Sequence, residues 1–249
     1  FFKQKTEYEI MPSLVGSEMC IRDRMDIGWL LANERKSHGN TFLAQYQTKG
    51  RGRFKRKWLS PVSESVMGSM IVKGSPNKIA TLGMIGCVAI AKSIKAVADI
   101  ECQLKWPNDV LVGGKKVSGI LVESQISTNN NGVGVLGFGV NINNGHEDVS
   151  DFRIPPTSLF RETGEVFDIN KFALTAIRKI NLLWQGDIQS LNANYSSMLG
   201  IVGKNINVTV NGRLLTGTVR KVDKTGAIEL VDPSGNSHLI VETDASISI

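Results

Sequence analysis

The stretch 109–142, "DVLVGGKKVSGILVESQISTNNNGVGVLGFGVNI", constrains the fold more than any other. Two apolar runs meet at Gly113 and Gly114, and a third follows the polar turn "STNNN". Connections this short join antiparallel neighbours, because a parallel pair needs a crossover of roughly a dozen residues or more. A mixed or antiparallel sheet is therefore required. Around it, "MDIGWLLANERK" reads as an amphipathic helix, "NTFLAQY" and "ESVMGSMIVKG" as strands, 78–99 as a long helix and "CQLKW" as a strand. Phe172, Ala176, Ile177, Ile180, Leu183 and Trp184 repeat at helical spacing, and a second short helix ends at Gly200. The fold class is α+β, a mixed β-sheet with flanking helices. Beyond Ile201, short alternating strands on the turns "NGR", "DKTG" and "DPSGN" predict a small β-barrel, with a domain boundary near residue 200.

The apolar run 79–98 is interrupted by Lys92, Ser93 and Lys95, which suits a core helix and not a membrane span. Cys20, Cys87 and Cys102 lack paired spacing, and His38, His146 and His238 stand far apart, which argues against a disulfide framework and a structural zinc site. Residues 1–24 carry four Lys or Arg against four Asp or Glu and show no periodicity that continues into the chain. They lack the ordered regions of a signal peptide and resemble translated adapter sequence. Segment 1–24 is expected to be a non-native tail that packs poorly, followed by a catalytic domain at 25–199 and a C-terminal domain at 200–249.

Most of the net charge of +6 gathers in "GRGRFKRKW", residues 50–58, where five cations lie among glycines. Two readings are open: a nucleic-acid patch with Phe54 or Trp58 stacking on a base, or a mobile loop closing over one small anion. "GVGVLGFG" has dinucleotide-type glycine spacing, but no strand precedes it and no helix follows. Its glycines more simply let a ligand or neighbouring backbone approach a strand. "KWPNDVLV" places Asn108, Asp109 and Lys105 at a turn, and "GGKKVSGILVES" sets Lys115 and Lys116 at the start of a strand with Gly119 inside it.

The order "QYQTKGRGRFKRKWLSP", "KWPNDVLV", "KKVSGILVES", "GFGVNIN" and a small β tail closely resembles the biotin protein ligases, from Met25 to about Ile249. The resemblance implies a class II synthetase-like catalytic domain, an SH3-like C-terminal domain and a cytoplasmic enzyme. The implied reaction converts biotin and MgATP to biotinyl-5′-AMP, then biotinylates one lysine of a biotin carboxyl-carrier domain. It implies Arg51, Lys116 and Asp109 as catalytic residues. Gln47, Gly50, Arg51, Gly52, Arg53, Lys116 and Gly119 are implied at biotin, and Trp58, Asn108, Lys116 and Asn141 at ATP or the adenylate. Lys55, Arg56 and Lys57 are expected to be solvated. Asp109 keeps two roles open, as a ligand for Mg2+ or as the group that orients and deprotonates the incoming lysine.

The family's Ser-Thr-Asn turn is replaced here by "RDRM", so a strand and part of the biotin site are expected to be missing. An upstream winged-helix DNA-binding domain would have been lost with them, and homodimerisation stays open. The alternatives are a lipoate ligase or octanoyltransferase of the same fold, and a nucleic-acid-binding module using the basic loop.

Overall fold

The computed structural model describes residues 14–18, 23–34, 36–58, 60–145, 154–210, 212–241 and 245–248. Its larger layer is a seven-stranded sheet of β1 (Leu14–Glu18), β2 (Thr41–Ala44), β3 (Ser65–Gly74), β4 (Gln103–Lys105), β5 (Asp109–Val112), β6 (Lys115–Ile126) and β7 (Gly132–Asn141), in the order β1-β2-β3-β7-β6-β5-β4. Only β1 and β2 run parallel; the other neighbours pair antiparallel, as the short connections demand. The sheet is therefore mixed.

The α-helices among the described residues are α1 (Arg24–Ala32), α2 (Pro76–Ile79), α3 (Leu82–Ala98), α4 (Leu159–Thr163), α5 (Ile169–Gln185) and α6 (Ile188–Leu199). The helix expected over 78–99 is divided at Ala80 and Thr81 into α2 and α3, with Pro76 opening the first. Asp168 caps α5 by accepting from the amides of Asn170 and Lys171, and Asp187 caps α6 through Ser190 N–H. α3 is buried along most of its length because it is sandwiched between the sheet and α5.

The expectation that 1–24 packs poorly fails where the structure describes it. Residues 14–18 pair with β2 at the edge of the sheet, Asp23 and Arg24 are buried, and Arg24 Nε donates to Gly68 O at 2.9 Å. Asp23 accepts from Met25 N–H at 2.8 Å and so caps α1. The remainder of that segment, with Cys20, lies outside the described residues. The glycines of "GVGVLGFG" also differ from expectation. A Cβ at Gly132, Gly134 or Gly137 would lie about 2.6 Å or less from Ile79, Leu82 and Met25, so these positions chiefly admit helix side chains.

The second layer holds β8 (Asn205–Val210), β9 (Arg213–Val222), β10 (Ile228–Val231), β11 (Ser237–Ile240) and β12 (Ala245–Ser248), all antiparallel, in the order β11-β10-β9-β8-β12. Its inward residues Ile206, Val208, Val219, Ile228 and Leu230 join the same apolar cluster as α3, α6 and Trp106. Trp106 Nε1 donates to Gly226 O at 2.9 Å, and Tyr195 Oη donates to Pro107 O at 2.9 Å. No helix among the described residues is long and apolar enough to cross a membrane.

Candidate active site

Cross-strand register carries one row of residues over the sheet: Ala44 opposite Met67, Met67 opposite Gly139, Gly139 opposite Gly119, and Gly119 opposite Asp109. Paired residues share a face, so two side-chain-free positions lie together at the centre of this row. They form a shallow floor. A Cβ at Gly139 would meet the Trp58 ring at 2.6 Å, and one at Gly119 would meet Lys116 Nζ and Trp58 at 3.3 Å. The Trp58 ring thus reaches over both glycines, with Met67, Ala44 and Ile27 beside it. Its Nε1 is buried without an acceptor among the described residues.

The basic loop is an ordered hairpin. Trp58 N–H donates to Gly50 O at 2.9 Å, Gly52 N–H donates to Arg56 O at 2.8 Å, and Arg51 bridges Lys57 across the two arms. Phe54 takes φ 55 at the tip, with the Arg53 guanidinium 4.9 Å from its ring centre. Arg56 and Lys57 are exposed as expected. Arg53 leans back, its Nη1 donating to Asn108 Oδ1 at 3.4 Å.

Arg51 is bonded to three carboxylates. Its Nη1 reaches Asp23 at 2.6 Å and Asp26 at 2.7 Å, while Nε and Nη2 fork onto Glu123 at 3.1 and 3.3 Å. Burial works against its charge, but the bonds to Glu123 and Asp26 and the field of Asp23 raise its pKa above the usual arginine value. These three carboxylates were not anticipated from the sequence. For Glu123 a signal existed, since strand alternation puts it on the face of Gly119 and Leu121.

Lys116 is fixed through its backbone. Its N–H donates to Pro155 O at 2.8 Å and its carbonyl accepts from Thr157 N–H at 2.8 Å, so 155–157 runs as a strap beside β6. Asn141 is buried, and its Nδ2 donates to Thr157 O at 3.0 Å, tying the strap to β7. The side chain of Lys116 then turns to Asp109, Nζ to Oδ1 2.5 Å, a charge contact whose angles leave that buried oxygen without an aligned donor. Neighbouring Lys115 goes the other way, to Glu162 at 2.6 Å, and Glu162 also accepts from Thr157 Oγ1.

Burial pushes the Glu162 carboxyl up, but the bonds from Lys115 and Thr157 outweigh it and hold the pKa below its ordinary 4.5. A depressed carboxylate adds stability that is present above the unfolded value and lost as pH falls through the folded one. Glu162→Gln should therefore lower unfolding free energy by about 1 kcal/mol at pH 7 and by much less near pH 3, as urea titrations at the two pH values would show.

Gln47 and Asn108 serve the scaffold as placed. Gln47 Oε1 accepts from Arg24 N–H at 3.0 Å, at the start of α1. Asn108 Nδ2 donates to Ile120 O at 2.7 Å, and its carbonyl accepts from Ile120 N–H, joining the turn to β6. Gly50, Gly52 and Arg53 sit in the hairpin, and Lys116, Gly119 and Asp109 sit at the floor, so the residues singled out from sequence converge on one face. No group of three His, Cys, Asp or Glu suited to a metal occurs among the described residues.

Residues 20–141 match the sequence pattern of the biotin/lipoate A/B protein ligase family. The chain is 30% identical over 215 residues to the bifunctional ligase/repressor BirA of Bacillus spizizenii, covering 78% of this chain and 66% of that protein. It is 28% identical over 217 residues to the biotin–[acetyl-CoA-carboxylase] ligase of Mycobacterium tuberculosis, covering 83% and 78%. It spans only 43% of the Bacillus subtilis BirA, at 36% identity over 141 residues. In fold, it is similar to the biotin protein ligase of Aquifex aeolicus solved with biotin and ATP, with TM-score 0.76, 23% identity, and coverage of 93% of this chain and 97% of that one. The glycine floor, the basic hairpin and Lys116 all lie on the matched span, and residues 20–141 are a domain of the biotin/lipoate A/B protein ligase family.

Proposed function

We propose that this chain is an ATP-dependent biotin protein ligase, joining biotin to AMP and passing the biotinyl group to a lysine of a biotin carboxyl-carrier domain. The observation that carries the reading is Lys116, held by its backbone at the edge of a glycine floor beneath an arginine-rich hairpin. The relatives named as biotin ligases support the choice of acyl group. The finer assignments belong to the same proposal: a class II synthetase-like catalytic layer, an SH3-like small sheet, and action in the cytoplasm.

Adenylation brings a carboxylate against a phosphate, and the two anions repel. A cation placed between them lowers that repulsion most where water is excluded. Lys116 fills this role in our reading, exchanging Asp109 for the incoming anions. Gly119 and Gly139 leave space for a flat ring, and the hairpin runs beside it with the Gly52 amide held by Arg56 O. Trp58 would move from the glycine floor to lie against adenine. ATP brings Mg2+ with its phosphates, and such an ion needs only one or two protein carboxylates. Asp109 fits as one, since its buried Oδ1 has no aligned donor. Once Lys116 is engaged elsewhere, Asp109 is also placed to orient the acceptor amine, which must be neutral to attack the acyl carbon.

Pyrophosphate release on mixing the chain with MgATP should require biotin, and a carrier domain added afterwards should become biotinylated. Release that requires lipoate or octanoate would favour the other acyl ligases. If neither acid triggers release and the chain instead binds DNA or RNA with steep salt dependence, the ligase reading is wrong.

A further inference from the structure

We infer that Asp23, Asp26 and Glu123 act as an acidic latch on Arg51, positioning residues that hold the 50–58 hairpin shut and set how often the site opens. Arg51 is the only hairpin residue for which side-chain bonds to α1, to the residue capping it and to β6 are all described: Asp26 lies in α1, Asp23 caps it, and Glu123 lies in β6. The Glu123 contact is a two-bond fork, a geometry that fixes the guanidinium plane as well as its position. Glu123 is itself anchored, accepting from Trp29 Nε1 at 2.7 Å. Asp23 is almost wholly buried, so its contact is poorly screened by solvent, whereas Asp26 is 58% exposed and contributes the weakest restraint.

Three carboxylates around one guanidinium also reassign the charge of the loop. Arg51 is already more than neutralised where it stands, so it restrains the hairpin rather than offering a spare cation to an anion below. Retaining a reactive intermediate is a matter of opening rate, and the hairpin also meets the body through Trp58 and through a 3.4 Å bond from Arg53 to Asn108. The latch deepens the ligase reading and rests on it for its catalytic consequence, but not for its structural one.

The hairpin offers trypsin five cleavage sites, Arg51, Arg53, Lys55, Arg56 and Lys57. In protein without added biotin or ATP, Glu123→Ala should be cut there about tenfold faster than the parent, because cleavage follows the open population when closing is fast. Asp26→Ala, which leaves Trp29 and its partner untouched, should be cut about threefold faster. Cleavage in the small sheet, at Lys204 or Arg213, should not change in either. With biotin and MgATP, both variants should form the adenylate at the parent rate and release it faster by similar factors. Hairpin cleavage at the parent rate in both variants overturns the latch, as does adenylate release at the parent rate from both. If the parent forms no adenylate, the ligase reading falls, and the trypsin comparison alone still decides the latch.

Discussion

Lys116→Ala should reduce biotin-dependent pyrophosphate release by at least about 10²-fold to 10³-fold while leaving the melting curve close to the parent's. Two losses combine. The variant removes the cation, and it leaves the Asp109 carboxylate, only 17% exposed, without its partner at the place where the proposed reaction brings two further anions together. The fold should survive because the strap bonds to residue 116 are made by its backbone N–H and C=O, which alanine keeps. A double-mutant cycle over Lys116→Ala and Asp109→Asn should show strong coupling between the two positions, which touch through Nζ and Oδ1. Near-full activity of Lys116→Ala would remove this lysine from the reaction.

Phe138→Ala should cost about 3–5 kcal/mol of unfolding free energy, the largest stability change expected here. Phe138 is fully buried in β7, on the face opposite Gly139, and its ring fills the space above Gly68 on β3. A Cβ at Gly68 would lie 2.2 Å from the ring, so Gly68→Ala should itself cost about 1–3 kcal/mol by overpacking. Gly68→Ala combined with Phe138→Leu should be less damaging than the sum of the two, since the smaller side chain makes room for the added methyl. Urea denaturation of the three proteins measures this. A loss below about 1 kcal/mol in Phe138→Ala would mean that β3 and β7 are not locked by this contact.

The parts of the molecule that were legible in sequence are those set by local pattern. Helical spacing from Phe172 to Trp184 located α5, and the turns around Gly212, Gly226 and Gly235 located the strands of the second sheet, each of these glycines having positive φ. The residues of the site could be gathered only through their order along the chain, because the distances that unite them span many residues. Arg51 meets Asp26 and Glu123 across separations of 25 and 72 residues, and the strap reaches Lys116 from position 155. No local periodicity encodes such pairings. The one rule that reaches part of the way is strand alternation, which aligns Gly119 with Glu123 on one face. The pairing of 14–18 with β2 and the cap at Asp23 are illegible for a related reason: a short edge strand and a single buried cap leave no repeating pattern.

The bonds from Trp106 to Gly226 and from Tyr195 to Pro107 have a consequence for how the molecule can be divided. Both end on the residues just before Asn108 and Asp109. The small sheet is thus a brace for the turn that aims Asp109 at Lys116, and a chain cut near residue 200 would keep every residue of the site while losing the Gly226 carbonyl that holds Trp106 in place. The small sheet therefore helps to fix the turn that carries Asp109, through a backbone carbonyl more than a hundred residues away in sequence.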